Sequence, residues 1–341
     1  MEELKKWRGR EELLRTQESF RSNAILLITK MLDWHDLYPG GKHLVEEMLH
    51  SIFFLGKINR PPYSPEMIFG SDVVMLQRLK LSYPRPFECY LSHQPKRSPF
   101  SCVEDMVVYL AEEWNENLIK HLLQNITNNL KTKPLISSTV GVSQKKKKKS
   151  RKKKKKKNPA SVRYYGVSMS TSGGDAGQIM IAASCLSYWD NYVADAVMTY
   201  YPVKVKKDYF DGTIKLPNTI RCKAFRISDG VEMSPCRSCG NLFGLRVYPT
   251  ADVPVPREWA YGNCAEAESL STLLKNESGI KEQARPTSVM YTDENKKEAK
   301  RHVMNNVRGL LSEIRKRSER SETIPAFEWN GLIYSNTKLQ Q

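Results

Sequence analysis

Two short stretches hold the residues best suited to chemistry: Ser234-Pro235-Cys236-Arg237-Ser238-Cys239 and, 25 positions further on, Cys264-Ala265-Glu266. Three thiolates are soft ligands for Zn²⁺, and three rather than four leave one tetrahedral position open to water. A carboxylate two residues beyond a ligand can carry protons without binding the ion itself. Cys236, Cys239 and Cys264 are therefore the expected metal ligands and Glu266 the expected catalytic acid and base. Two other readings stay open. Cys222 would add a fourth thiolate and close the site into a purely structural one, or the cysteines are ordinary buried thiols without a metal.

Helix starts are the elements that must position these groups. Pro235 costs no hydrogen bond in the first turn of a helix, where the amides have no partner. Cysteines at i and i+3 place both sulfurs on one side, and the positive end of the helix favours their thiolates. Cys264 is expected to open a second helix after the turn formers Gly262-Asn263. Asn263 is placed to hydrogen-bond a substrate, and Trp259 and Tyr261 to stack on one; the competing roles are a turn residue and two core aromatics. Glu268 is expected to face solvent.

Residues 1–131 read as mainly helical. Helical spacing runs through Glu2–Asp33, breaks at Tyr38-Pro39-Gly40-Gly41, and resumes over Lys42–Phe54 and Ser101–Asn129, the last opened by a Ser101/Glu104 capping box. Residues 132–160 read as a disordered Lys-rich linker. From 161 to 341 strand and helix alternate. Val162–Ser168 and Gln178–Cys185 suggest a hairpin turning at Ser172–Asp175, and Thr219–Ile227, Leu245–Tyr248 and Ser288–Thr292 suggest further strands. Helices are expected at Asp190–Tyr201, Pro235 onward, Cys264–Lys275 and Glu294–Arg317. This alternation predicts a layered α/β domain.

Charge adds less than it first suggests. The chain carries +17, but twelve positive charges lie between Lys145 and Lys157, which leaves +5 for the rest. That run is suited to nucleic-acid contact or to an import receptor, or it is a solvated spacer. Seven cysteines and no apolar leader after Met1 favour reduced thiols in the nucleus or cytoplasm over a secreted disulfide framework. No apolar run approaches the length of a membrane span, so a membrane is not an expected partner.

Tyr261-Gly-Asn-Cys-Ala-Glu-Ala-Glu-Ser-Leu resembles the zinc helix of the zinc-dependent cytidine deaminase-like superfamily, and Ser234-Pro-Cys-Arg-Ser-Cys is similar to its second zinc motif, here in reversed order. The resemblance covers about 60 residues and implies a three-layer cytidine deaminase-like domain behind the mainly helical N-terminal region. It also implies Zn²⁺ as cofactor, Glu266 as proton carrier, and a nucleoside or nucleic acid as substrate, with cytosine or cytidine favoured over adenine. The expected function is thus hydrolytic deamination of a nucleobase. The alternative is a non-enzymatic nuclear or nucleic-acid-binding protein whose zinc is structural.

Overall fold

The computed structural model describes residues 2–128, 134–146, 161–171, 174–247, 256–318 and 328–335, with side chains from Glu18 onward. Seven helices come first among these: α1 (Glu2–Leu37), α2 (Lys42–Ile58), α3 (Pro65–Phe69), α4 (Val73–Ser82), α5 (Pro84–Cys89), α6 (Pro99–Ala111) and α7 (Glu116–Asn128). Strands β1 (Thr139–Lys145) and β2 (Arg163–Val167) lead into α8 (Gly174–Ala183) and α9 (Asn191–Met198). Then follow β3 (Ile220–Arg226), β4 (Glu232–Met233), α10 (Arg237–Phe243), α11 (Ala265–Asn276), α12 (Ser278–Gln283) and α13 (Asp293–Ser318). The architecture is mixed α/β, dominated by helix, around a small sheet of order β2-β1-β3-β4 that is antiparallel throughout.

The sheet has helices on both faces. On one, α11 lies so close that glycine is required beneath it: Gly141 and Gly166 are direct partners across β1 and β2, and a Cβ on Gly141 would sit 2.7 Å from the Ala265 carbonyl. A Cβ on Gly166 would overlap the Ser269 backbone. Ser143 and Ser269 hydrogen-bond across the same contact at 2.9 Å. On the other face, Tyr165 donates to the Glu113 carbonyl at 2.8 Å and the Lys120 ammonium lies 3.1 Å from the centre of the Phe225 ring. The α6–α7 region thus covers this face of the sheet, and one continuous apolar core runs from Phe20 through the strands to Ile314.

Several expectations need correction. Thr139–Lys145, read as part of the linker, is the strand paired on both sides within the sheet. Its short Thr-Val-Gly-Val-Ser pattern runs directly into the lysines, so composition hid it. Lys145 ends β1, and Lys146 donates to the Asn218 carbonyl at 2.8 Å; residues 147–157 lie outside the described residues. Gln178–Cys185 is not the second strand of a hairpin but α8 continuing into a π-turn. Ile179 to Ala183 are buried on every side, and an apolar run of that kind has no period by which to tell helix from strand. Ser101–Asn128 is two helices, broken where Glu112 takes a φ of 62°, and Asn129 lies outside the described residues. The Ser101/Glu104 capping box does not form, since α6 already begins at Pro99 with Ser98 at its N-cap. Leu245–Val247 and Ser288–Thr292 are not strands, and Tyr248 lies outside the described residues. No helix among the described residues is long and apolar enough to cross a membrane.

Candidate metal centre

The two cysteine motifs come together at the starts of two helices. Cys236 is the N-cap of α10 and Cys264 the N-cap of α11, both with extended backbone, and Cys239 follows one turn into α10. Their three Sγ atoms lie within 4.8 Å of one another, with Cys236 and Cys264 3.4 Å apart. Tetrahedral Zn–S bonds of ~2.3 Å place sulfurs about 3.8 Å apart, which falls inside that spread. Cys239 is buried, while Cys236 and Cys264 keep partial exposure as residues. The turn before Cys264 depends on Gly262, whose φ of 90° and close packing against Ile181 and Val197 exclude a side chain.

Electrostatics favour a cation among these sulfurs. The Cys236 thiol is held at a pKa of about 2 by hydrogen bonds from Cys239 and Cys264, so one thiolate accepts from two thiols. Those two are pushed up by the same neighbouring sulfur and by burial. Three adjacent thiolates repel one another until a divalent ion relieves them, which is the behaviour expected of a metal-binding set. The donor set fits zinc or a similar soft ion. Among the described residues no fourth His, Cys, Asp or Glu joins the group at this range. Cys222 in particular stays outside it: its thiol is turned onto Ser143 and Ser269, and burial together with the nearby Glu266 carboxyl raises it to about 12.

Glu266 occupies the first turn of α11, 4% exposed. Burial raises its carboxyl to about 7, with the nearby Cys236 sulfur adding to the effect, and it hydrogen-bonds the Cys239 thiol without belonging to the three-sulfur group. Asn263 is half-buried beside Cys264; its backbone carbonyl accepts from the Met169 amide at 2.9 Å, and its side-chain amide has no partner among the described residues. Trp259 is 46% exposed, its carbonyl accepting from Ser238 of α10 at 2.7 Å. Tyr261 stands elsewhere. It is buried, stacked on Tyr200 with centroids 4.0 Å apart, and its hydroxyl joins Asn241 to Glu258 at 2.7 Å each. Its ring is core and is not presented to a substrate.

Glu268 has a setting that its sequence position did not suggest. Instead of facing solvent it is buried, accepting from the Ser101 hydroxyl of α6 and, at 2.8 Å, from the Val167 amide of β2. Arg97 lies in the same cluster, bonded to Glu47 at 3.0 Å, Tyr188 at 2.6 Å and Asp105. Ser101 was the one available signal, since a hydroxyl is a poor choice for a helix face that is otherwise core. No protein-family model, curated protein or solved structure matches the chain.

Proposed function

We propose that this protein is a zinc-dependent hydrolytic deaminase acting on a nucleobase, with a cytosine ring the favoured substrate. The observation that carries the reading is a cluster of three cysteine sulfurs beside a buried carboxyl that is not one of the cluster. Cys236, Cys239 and Cys264 hold the ion, and when bound it supplies Lewis acidity that makes water nucleophilic near neutral pH. Glu266 accepts the proton that water loses and delivers it to the exocyclic amine, which departs as ammonia. The half-buried Asn263 amide is available to hydrogen-bond the base and fix its orientation.

The reversed order of the two motifs does not weaken this reading physically, because proton transfer depends on where the groups meet and not on which comes first in the chain. A non-enzymatic reading with a closed four-cysteine site draws no support from Cys222, which hydrogen-bonds serines rather than joining the other sulfurs. The test is ammonia release by zinc-loaded protein from cytosine, cytidine and cytosine-containing single strands, with the adenine counterparts run in parallel. Turnover that disappears in Glu266→Gln while bound zinc remains supports the reading; no turnover on any of these substrates sinks it.

A further inference from the structure

A groove of about 860 Å³ opens beside the metal centre, between β3, the residues leading into α10 and the chain leaving α10. Its lining includes Cys222 of β3 and Ser234-Pro235, which run directly into Cys236. The groove thus borders the segment that carries the first ligand, Cys236. Its charge is one-sided. Lys146, Arg221, Lys223 and Arg246 line it against a single acid, Glu232, which pairs with Lys223. Arg221 and Arg246 have neither an ion pair nor a side-chain hydrogen bond among the described residues. Other arginines are paired, as Arg226 is with Asp229 at 2.7 Å and Arg301 with Glu298 at 2.6 Å.

We propose that this groove carries the phosphate backbone of a single-stranded polynucleotide whose target base enters the pocket formed by Cys236, Cys239, Cys264 and Glu266. The inference rests on the deaminase reading for the fate of the base, but the groove stands on its own charge and shape. An uncharged nucleoside leaves Arg221 and Arg246 unmatched, and one phosphate engages only part of a set drawn from the end of β1, from β3 and from the chain after α10. Successive phosphates match all three. A single strand is specified because a base must leave any stack to reach a pocket at helix starts. Trp259 adds a stacking surface at the same helix start: it is exposed, its own guanidinium neighbour Arg257 lies 5.7 Å from the ring, and the Arg257 carbonyl accepts from the Arg237 amide of α10 at 3.0 Å. Bases flanking the target have a place to rest there.

The experiment is fluorescence anisotropy on the full chain between 50 and 200 mM salt, with 12-nucleotide RNA and DNA single strands carrying one central cytosine and with a duplex. Glu266→Gln serves as the background so that no product forms. Arg221→Gln combined with Arg246→Gln is expected to weaken single-strand binding about tenfold and to make the log–log salt dependence shallower by roughly 1.4, about 0.7 for each phosphate no longer neutralised. Arg246→Glu alone, at an exposed position, is expected to weaken it several-fold. Zinc content and thermal midpoint on the same samples report folding, and the Lys147–Lys157 run is common to all variants and cancels. Affinity and slope unchanged in both variants overturn the proposal, as does equal or tighter binding of the duplex. The parent reading fails separately. Groove-dependent binding with no turnover by the wild-type chain removes the deaminase and keeps the groove, whereas turnover of free cytidine with groove-independent strand binding does the reverse.

Discussion

Glu266 and Glu268 sit two residues apart on α11, both almost fully buried, in opposite surroundings. Glu268 is met by donors from two other elements, the Ser101 hydroxyl and the Val167 amide, with the Arg97 guanidinium in the same cluster. Glu266 meets its own backbone amide and a thiol, next to a sulfur that carries negative charge. Burying a carboxyl is costly unless donors compensate it. At Glu268 the compensation ties α11 to α6 and β2, so that residue holds the helix in place. At Glu266 the compensation is sparse, and a buried group left with few partners is one that can exchange a proton with something else. Under the proposed function, the contrast separates a latch from a working group on one helix turn.

Substitutions on the two sides of this contrast should fail in different ways. Glu266→Gln should lower deamination by about 10²–10⁴-fold with little change in thermal midpoint or zinc content, measured by ammonia release, calorimetry and metal analysis. Glu268→Ala should do the reverse. Stranding the Ser101 hydroxyl and the Val167 amide, and weakening the Arg97 cluster, should cost about 2–4 kcal/mol in denaturant unfolding. If Glu268→Ala proves as stable as wild type, the latch is misassigned.

The glycine pair beneath α11 sharpens the same point. Gly166→Ala must push α11 away from the sheet, so a stability loss of about 1–3 kcal/mol should be accompanied by weaker zinc retention against a chelator, because Cys264 rides on that helix. The smallest expected effects separate the two aromatics. Tyr261→Phe should cost about 1 kcal/mol of stability through the hydrogen bonds it removes, with little change in KM. Trp259→Ala should leave stability within about 0.5 kcal/mol and raise KM for a single strand about fivefold. Equal behaviour of the two variants would remove the distinction between core and rim.

What the sequence made legible follows from what is local. Pro235-Cys236 and Gly262-Asn263-Cys264 announce helix starts through turn and cap chemistry, and Cys236 and Cys264 are the N-caps of α10 and α11; Pro235, expected in the first turn, stands just ahead of the cap because α10 begins at Arg237. Convergence of the sulfurs was legible only through the pairing of motif types, since spacing in the chain says nothing of which helix lies beside which. β1 was obscured because its pairing is with residues some twenty and eighty positions away, while its own composition merges into the lysine run. The burial of Glu268 was equally hidden. An acid two residues from another normally points to a different face, but α11 is enclosed all round over its first two turns, with the sheet on one side, α9 packed against it, and Ser101 of α6 reaching Glu268. The groove cations alternate with Cys222 along β3, a pattern that reads as an ordinary half-exposed edge until the chain after α10 is placed opposite.

The account depends on an ion held by three sulfurs with its fourth position free. X-ray absorption at the zinc edge on the zinc-loaded full chain reads that directly. Three sulfur scatterers at ~2.3 Å with one oxygen or nitrogen at ~2.0 Å are expected, and the sulfur shell should shrink in Cys264→Ser. A shell of four sulfurs, or zinc bound without sulfur, would contradict it.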